Sequence, residues 1–405
     1  MTDIDIINKL GKDNIIWKFV KLVTDRHPRC HPTIPLAIGI SLVSTRASSI
    51  KAISRYTPDM REWVIVLAES GGIKTPPLNY ARQIAEEVFG VEIVGEKATP
   101  QKTEEILCEV KIAFTPIDEF ADFIGVSKRT NYQEGKLKLV KEMWDGHSTG
   151  LPRRTAKLDV SSYDAYWVIV GASQPNKMEN CVNRESMMDG FFARFTLKEA
   201  ERIDWIAPNK SGKLDNNEIK AFAIWHKKVS KIVEMKADQT VIDEMDRWCK
   251  DTCEKWENEM GKSDVMAPIS IKYQAKLEKI SQIFTLADGR SNVTLQDVNL
   301  AEEYLDDSLN VWDKHRIRYL TATKDTDYKR ESLREKCLRW LNTPDTQMGK
   351  WSHRTKDYQQ KIGRKAEEIT PILESLVEDG IAKKVTSGRG FKWYPSDWKK
   401  KTKGR

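Results

Sequence analysis

Residues 63–77 read WVIVLAESGGIKTPP, and this stretch decides the fold. The apolar run Trp63–Leu67 predicts a buried strand, residues 68–72 predict a small-residue turn, and Leu78–Val88 predicts a helix. At the start of a helix the backbone N–H groups have no acceptor within the helix, and the helix dipole adds positive charge there. The strand, turn and helix therefore predict a loop that binds phosphate.

The loop also supplies side chains for a nucleotide and a metal ion. Lys74 is placed to neutralise β- and γ-phosphates, and the Thr75 hydroxyl to hold Mg²⁺. The predicted nucleotide-binding residues are Ser70, Gly71, Gly72, Lys74 and Thr75. Ala68 and Ile73 stand where the pattern G-x-x-x-x-G-K-[ST] has glycines. Either Gly71-Gly72 provides the sharp turn or the cradle is weakened, and the alternative is an ordinary glycine turn.

Composition excludes several classes of protein. The chain has 405 residues, of which 40% are hydrophobic and 31% charged, with a net charge of +7. This is enough for two or three globular domains, and the basic excess is modest. No apolar run approaches the roughly 20 residues of a membrane span, and residues 1–14 do not resemble a targeting peptide. The six cysteines are scattered, without zinc-type spacing, so we expect a cytoplasmic protein without disulfides.

The order of patterns predicts an α/β protein with several segments. Residues 1–50 look helical, residues 51–205 alternate strands and helices, and residues 206–325 are helical again, with one apolar face from Tyr273 to Ala287. The first helix candidate is Ile6–Val23, and HPRCHP after it is interpreted as a turn that leads to a second helix at Leu36–Ser48. Between the strands the helix candidates are Leu78–Val88, Thr103–Val110 and Gly135–Trp144. The alternation predicts a mostly parallel sheet. Its strand candidates are Trp63–Leu67, Glu92–Val94, Ile112–Ile117, Tyr166–Val170 and Phe192–Leu197. A charged stretch at 321–330 is interpreted as a linker to a last domain at 331–405.

The last domain has a pattern of its own. Three helix candidates, Leu333–Leu341, Lys356–Arg364 and Ile369–Val377, precede a two-stranded hairpin, which together predict a winged helix. Cations on the hairpin suit contacts to the phosphates of DNA, which supply affinity rather than sequence recognition. The predicted DNA contacts here are Lys383, Lys384, Arg389 and Lys392. The alternative is a domain that docks on protein, with lysines on a solvated face.

Two further apolar strands end in polar residues. KIAFTPIDEF (111–120) ends in Asp118 and Glu119, which are suited to hold Mg²⁺ and to polarise the attacking water in a nucleotide hydrolase. YWVIVGASQP (166–175) ends in Gln174, which is placed to orient that water between the two phosphate-site strands. An ordinary strand-ending turn is the alternative for Gln174.

Two stretches that contain basic residues are further candidates for functional features. In DGFFARF (189–195), Arg194 stands among phenylalanines, and its planar cation suits a γ-phosphate on a neighbouring subunit. The stretch 144–160 contains Arg153, Arg154 and Lys157 between Gly and Pro turn signals, which predicts a basic hairpin that touches nucleic acid. Phosphate contact in trans and a solvated loop are the alternatives for this hairpin.

In order along the chain, AESGGIKT, PIDE, the basic insert after WDG, VGASQP and DGFFARF resemble the P-loop ATPase module of phage, plasmid and mobile-element primase–helicases. The order is also similar to the AAA+ motor of the minichromosome maintenance helicases. There an Asn-Pro ends the sensor strand where Gln174-Pro175 stands, and an Arg-Phe finger stands where Arg194-Phe195 does. Residues 276–305 resemble their helical lid, and a winged helix follows in both. The likeness covers roughly residues 35–395.

The resemblance implies a P-loop, AAA+-like core with a lid and a winged helix. It implies an ATP- and Mg²⁺-dependent helicase, a hexameric ring that translocates on DNA in replication of a mobile element or virus. Gln174 is then the first sensor and Arg194 the finger, and a separate primase or polymerase is a partner. The lid's usual arginine is missing, and Lys272, Lys276 and Lys279 are equal candidates to replace it. The alternative is a nucleotide-binding scaffold, loader or origin-binding initiator with little or no hydrolysis.

Overall fold

A computed structural model of the chain describes residues 3–53, 55–56, 59–129, 131–144, 165–182, 190–260, 266–329, 337, 341, 353–354, 366–378, 380–387 and 390–395. Its contacts divide the chain into two compact units, Met1–Leu320 and Thr321–Arg405. Within the described ranges, no helix combines the length and the apolar character needed to cross a membrane.

The first unit is built on a five-stranded parallel sheet. Its strands are β1 (Trp63–Ala68), β2 (Glu92–Ile93), β3 (Ile112–Ile117), β4 (Tyr166–Ser173) and β5 (Phe195–Ala200). They lie in the order β2-β3-β4-β1-β5, and every neighbouring pair is parallel. β1 and β4 are buried along their whole length, as in a parallel sheet covered on both faces. The predicted α/β class with a parallel sheet is confirmed.

The register brings the ends of the motif-bearing strands to one edge of the sheet. Leu67 of β1 pairs with Ser173 of β4, and Ile117 of β3 pairs with Gly171 of β4. β4 lies between β1 and β3, so the residues that follow these three strands share the carboxyl edge. This edge is where ligands bind in open parallel sheets.

Helices surround the sheet. Those in the first half of the chain are α1 (Asp3–Lys9), α2 (Ile15–Arg26), α3 (Thr33–Arg46), α4 (Thr75–Glu87), α5 (Pro100–Glu109), α6 (Phe120–Arg129), α7 (Asn131–Trp144) and α8 (Pro175–Cys181). α4, α5 and α7 correspond to predicted helices, whereas α6 was not predicted. Short 3-10 turns occur at 47–49 and 192–194, and the second delays the start of β5 to Phe195 from the predicted Phe192.

Helix α3 belongs to the layer that covers the sheet. It is buried from Thr33 to Thr45 and packs against α4, β1, β4 and β5. A helix that is apolar on all sides has to be buried in this way. At Gly39 a Cβ atom would lie only 3.3 Å from the Phe19 ring, so glycine here lets α2 approach closely. The N-terminal residues are therefore part of the sheet's own unit, where the sequence predicted a separate segment at 1–50.

The predicted first helix, Ile6–Val23, is two helices in the structure. Asn14 is the N-cap of α2: its side-chain oxygen accepts hydrogen bonds from the N–H groups of Ile16 and Trp17 at 2.9 and 3.3 Å. Asparagine at this position satisfies N–H groups that have no partner within the helix. The apolar period that runs through both helices concealed the break.

The chain from the end of β5 to Lys329 is mainly helical. Its helices are α9 (Asn216–Val229), α10 (Gln239–Met260), α11 (Met266–Ala287) and α12 (Leu295–Lys329), the last of which extends past the end of the first unit at Leu320. The apolar face predicted from Tyr273 to Ala287 is buried in α11, which confirms that helix. The boundary between the two units falls at Thr321, where the sequence predicted that a linker begins, and the described part of this stretch, to Lys329, is helical.

The second unit contains a three-stranded antiparallel sheet in the order β6-β8-β7. Its elements are β6 (His353–Arg354), α13 (Ala366–Glu378), β7 (Ala382–Ser387) and β8 (Gly390–Pro395). Leu373 and Leu376 of α13 pack with Trp393 of β8 in a small core. The third predicted helix and the hairpin are present, whereas the first two predicted helices lie almost entirely outside the described residues.

Candidate functional site

The loop after β1 makes a tight turn at Gly71. Gly71 has φ +83°, in the left-handed region that favours glycine, and the N–H of Gly72 donates to the carbonyl of Glu69 at 2.9 Å. At Gly72 a Cβ atom would meet Ala68 and the Glu69 carbonyl oxygen at 3.1 Å, so the turn is also crowded. Among the described residues only glycines have positive φ, and Ile73 is therefore unstrained. The sequence left open whether Gly71-Gly72 makes the sharp turn or the cradle is weakened. In the structure the glycine pair makes the turn.

Lys74 lies at the end of this turn and is the N-cap of α4. Its side chain is 7% exposed, and its Nζ donates to the carbonyl oxygens of Ala68 at 2.9 Å and Glu69 at 3.3 Å. Burial lowers the pKa of Lys74, while the carboxylates of Glu119 and Asp118 act in the opposite direction. The amine is thus folded over its own loop, and Lys74 immediately precedes α4, whose first N–H groups have no acceptor within the helix.

Thr75 and Asp118 meet at the carboxyl edge. The Thr75 hydroxyl donates to Oδ2 of Asp118 at 2.8 Å, and the Asp118 N–H donates to Glu96 at 3.3 Å. Phe120 fixes the end of β3, since a Cβ at Gly171 of β4 would lie 2.4 Å from its ring. A hydroxyl beside a carboxylate is a donor set that suits Mg²⁺ when substrate phosphates complete the shell. In the described part of the chain, no three His, Cys, Asp or Glu side chains cluster in a way that could hold a metal ion.

Glu119 lies next to a lysine that the sequence did not single out. Lys177 of α8 donates to Oε2 of Glu119 at 2.9 Å, and both side chains are 41% exposed. This hydrogen bond is the main cause that raises the pKa of Lys177. The signal was present in QPNK, because a lysine four residues beyond the strand end at Ser173 falls in the first turn of the following helix. Gln174 immediately precedes that helix and is half-buried at the end of β4, between β1 and β3.

Arg194 lies at the opposite edge of the sheet. It directly precedes β5, is 8% exposed, and donates to the carbonyl oxygen of Gly190 at 2.7 Å. β1 spans six residues, so about 20 Å of strand separate this edge from the loop at Lys74. Within one chain the structure does not bring Arg194 to the site, and its guanidinium lies 5.7 Å from the centre of the Trp144 ring.

The lysines of α11 lie at this amino edge too. Lys276 donates to Glu62 at 2.8 Å with both side chains fully buried, and Lys279 donates to the carbonyl oxygen of Arg61 at 2.9 Å. The nearby ring of Trp144 lies within 6 Å of both amines and of Lys272. Lys276 and Lys279 are therefore bound at the amino edge, away from Lys74, and do not serve a nucleotide at Lys74 within one chain, whereas the role of Lys272 stays a prediction.

The loop between α2 and α3 packs against the loop after β1, which sequence reasoning missed. The Cys30 thiol donates to the carbonyl oxygen of Ile73 at 3.2 Å, and Arg29 lies 3.3 Å from the place of a Cβ at Gly71. The stretch HPRCHP was interpreted only as a turn between helices. Burial raises the pKa of Cys30 above its ordinary range, so this thiol is a structural contact.

A groove of about 560 Å³ opens beside α4. It is lined by His27, Pro76, Asn79, Tyr80, Arg82, Gln83, Glu86, Glu87 and residues 211–213. His27 and Tyr80 form one wall, with their rings stacked and joined by a 2.8 Å hydrogen bond. The groove has the size of a small-molecule site, and its lining on α4 begins at Pro76, the residue after Thr75.

The wall at 211–213 is fastened by two side chains. Arg26, which is 3% exposed, donates to the carbonyl oxygens of Ser211, Gly212 and Lys213 at 3.1–3.4 Å. Gln83 pairs with both backbone groups of Leu214, accepting at 2.9 Å and donating at 3.1 Å. The extended chain that follows β5 is thereby held against α4.

The predicted DNA contacts are only partly within the structure. Arg153, Arg154, Lys157 and Arg389 lie outside the described residues. Lys384 donates to Glu374 at 2.6 Å and lies over the Trp393 ring, so its charge is already engaged. Lys383 and Lys392 lie on the other face of the β7–β8 hairpin, because side chains alternate along a strand and the register pairs them with Tyr394 and Val385.

Two features of the carboxyl edge therefore stand out. The loop at 69–74 leads into the exposed N-terminal turn of α4, and two amines and two carboxylates gather around it, from Lys74, Lys177, Asp118 and Glu119. The groove beside α4 has Pro76, the residue after Thr75, in its lining. No protein-family model matches the chain, and no curated protein matches it closely enough to count as a relative.

Proposed function

We propose that the chain is a P-loop ATPase that acts on DNA, with the phosphates of ATP bound by residues 70–75. The observation that carries the proposal is the meeting of Thr75 and Asp118 at 2.8 Å beside Lys74. Helix N-termini bind phosphate through unpaired N–H groups, and the lysine adds a full positive charge. Gly71 gives the turn its shape without a side chain in the way of the ligand.

The groove beside α4 is the proposed site of the nucleoside. It starts at Pro76, directly after the phosphate-binding residues, and its walls combine the stacked rings of His27 and Tyr80 with the amide of Asn79. Aromatic faces and a few placed amides are what a purine base needs for stacking and edge recognition. The base and the triphosphate then lie along one helix.

The acidic residues at the end of β3 provide the groups that hydrolysis of ATP requires. Thr75 and Asp118 would hold Mg²⁺, which neutralises charge on the β- and γ-phosphates when bound. Glu119 accepts a proton from the water that attacks the γ-phosphorus, and the bond from phosphorus to the ADP oxygen breaks. Gln174, between the two motif-bearing strands, orients that water, while Lys74 exchanges two carbonyl oxygens for phosphate oxygens.

The test is steady-state phosphate release with and without single-stranded DNA. Turnover is expected in the wild type and lost in Lys74→Ala and Glu119→Gln. Lys111→Ala, an exposed lysine ahead of β3, is the matched control and should retain wild-type turnover. Turnover that survives both variants would refute the assignment.

A nucleotide-binding scaffold or loader with little hydrolysis is the second candidate. The ion pair between Glu119 and Lys177 favours it, because a carboxylate held by an amine is a poorer base. In that case ATP binds with wild-type affinity to Glu119→Gln, and no phosphate is released by either protein. Phosphate release and equilibrium binding measured together separate the two candidates.

The DNA contacts and the oligomer are proposals of the same kind. We assign the second unit to a winged helix, supported by the order of helix α13 and the hairpin β7–β8 with Lys383 and Lys392 on its outer face. We assign Arg194 to a neighbouring subunit's nucleotide, since about 20 Å of strand separate it from the nucleotide site of its own chain.

Sedimentation with and without Mg-ATP tests for a homo-oligomer, and the salt dependence of DNA binding tests for phosphate contacts.

A further inference from the structure

The ion pair between Lys177 and Glu119 is placed where a terminal phosphate would compete for it. Lys177 lies in the first turn of α8, on the same edge of the sheet as Lys74. Its charge acts on Lys74 and on Asp118, so all these groups are within electrostatic reach of one another. The cluster thus contains a second amine for which the proposed reaction has no role.

The two amines of the cluster are bound differently. Lys74 is buried and donates to uncharged carbonyl oxygens, whereas Lys177 is half-exposed and donates to a carboxylate. An ion pair at that exposure contributes little to stability and breaks readily. A phosphate oxygen is a stronger partner, because it carries more charge and lies in a site already lined with donors. The four-carbon stem of lysine lets its amine move between partners without backbone change.

We infer that Lys177 leaves Glu119 when a nucleoside triphosphate binds and then contacts its terminal phosphate. This inference rests on the proposed ATPase function. When no γ-phosphate is bound, Lys177 pairs with the Glu119 carboxylate that would act as the base. When a γ-phosphate is bound, Lys177 moves to it, and the carboxylate is free to accept a proton from the attacking water. Lys177 thereby distinguishes a triphosphate from a diphosphate and couples that distinction to the state of Glu119.

Equilibrium binding of ADP and of a non-hydrolysable ATP analogue tests this directly. In Lys177→Met the affinity for the analogue should fall about tenfold or more, the effect of losing a hydrogen bond to a charged group, while the affinity for ADP stays within about twofold. Lys177→Arg should restore most of the loss, and Lys111→Met is the control lysine. Circular dichroism verifies that each variant is folded, which the exposure of Lys177 favours.

A double-mutant cycle tests the exchange itself. If Lys177 has to abandon Glu119, then Glu119→Gln should tighten binding of the analogue several-fold, and this gain should vanish in the Lys177→Met background. Simple repulsion between Glu119 and phosphate would instead persist in that background and would overturn the inference. So would equal losses for ADP and the analogue, or none for either.

The same titrations separate this inference from the proposed function. If the wild type binds neither ADP nor the analogue, the ATPase proposal fails and the inference falls with it. If the wild type binds both while Lys177→Met behaves as the wild type, only the inference is overturned.

Discussion

Thr75 and Asp118 are 43 residues apart in the chain, yet the hydroxyl of the first donates a 2.8 Å hydrogen bond to the carboxylate of the second. The contact exists because β4 lies between β1 and β3, so that the loops after β1 and β3 extend from one edge. An oxygen pair of this kind at a helix N-terminus is suited to a hard cation shared with phosphate. The first prediction follows from it.

Asp118→Asn should raise the Mg²⁺ concentration needed for half-maximal ATP binding by roughly tenfold or more, because the variant removes the charged ligand. Fluorescence titration of Mg²⁺ at fixed ATP measures the change. Glu109→Gln, at an exposed carboxylate on the end of α5, should leave the midpoint where it is. An unchanged midpoint in Asp118→Asn would exclude that carboxylate as a ligand.

Gly71→Ala should cost about 1–2 kcal/mol of unfolding free energy, because alanine is forced into the left-handed region at φ +83°. Urea denaturation measures this. Gly95→Ala is the matched control, since its Cβ would point into open space at an ordinary φ, and it should be neutral or slightly stabilising. Equal stabilities for the two variants would contradict the described turn.

Gln83→Leu should weaken ATP binding by roughly three- to tenfold, because it removes both hydrogen bonds that hold Leu214 at the wall of the groove. Binding of inorganic tripolyphosphate should not change, since that ligand has no base to place in the groove. Competition titrations with both ligands measure the difference, and Lys220→Ala on the exposed side of α9 is the control. An equal loss for both ligands would show that the groove does not bind the nucleoside.

Glu62→Gln should destabilise the protein by about 3–5 kcal/mol, because it leaves the fully buried Lys276 amine without a counter-charge. Glu234→Gln breaks the exposed pair with Lys51 and should have a much smaller effect. Urea denaturation compares the two variants. A small effect for Glu62→Gln would mean that Lys276 is neutral in the folded state.

Lys279 makes unfolding depend on pH in a predictable direction. Burial lowers its pKa to about 8 in the folded protein, against 10.5 for an ordinary lysine. Between these values the unfolded chain binds more protons, so the free energy of unfolding rises with pH across this window, by about 3 kcal/mol at most. Below about pH 8 Lys279 is charged in both the folded and the unfolded protein, so the folded state bears the full free-energy cost of burying that charge. Lys279→Met lacks the group, so its stability relative to the wild type should decline as pH rises from 8 to 10.5.

The sheet and the loop at its edge were predictable, because buried parallel strands are continuous apolar runs and the motif residues follow directly. Trp63–Leu67 and Ile112–Ile117 were predicted within a residue of their observed bounds. The partners of those motifs were not predictable. Lys177, Arg29 and Cys30 reach the site only through tertiary packing, and no local pattern encodes such contacts.

Charged residues misled sequence reasoning in the helical part. Because the lid arginine expected from the resemblance is missing, Lys272, Lys276 and Lys279 were candidates to replace it, and lysine in a helix is ordinarily a surface residue. In the structure the amines of Lys276 and Lys279 each have a buried acceptor, in Glu62 and in the carbonyl of Arg61. Glu62 immediately precedes the apolar strand β1 in the chain. Nothing about that position indicates that its partner, Lys276, lies 214 residues away.

The left-handed residue of the loop is Gly71, two positions ahead of where a motif search places its second invariant glycine. Position 73 is consequently open to branched side chains such as that of Ile73. A search pattern that insists on glycine beside the lysine would discard chains built in this way. A search for the backbone conformation, with one left-handed residue three places before the lysine, would retrieve them.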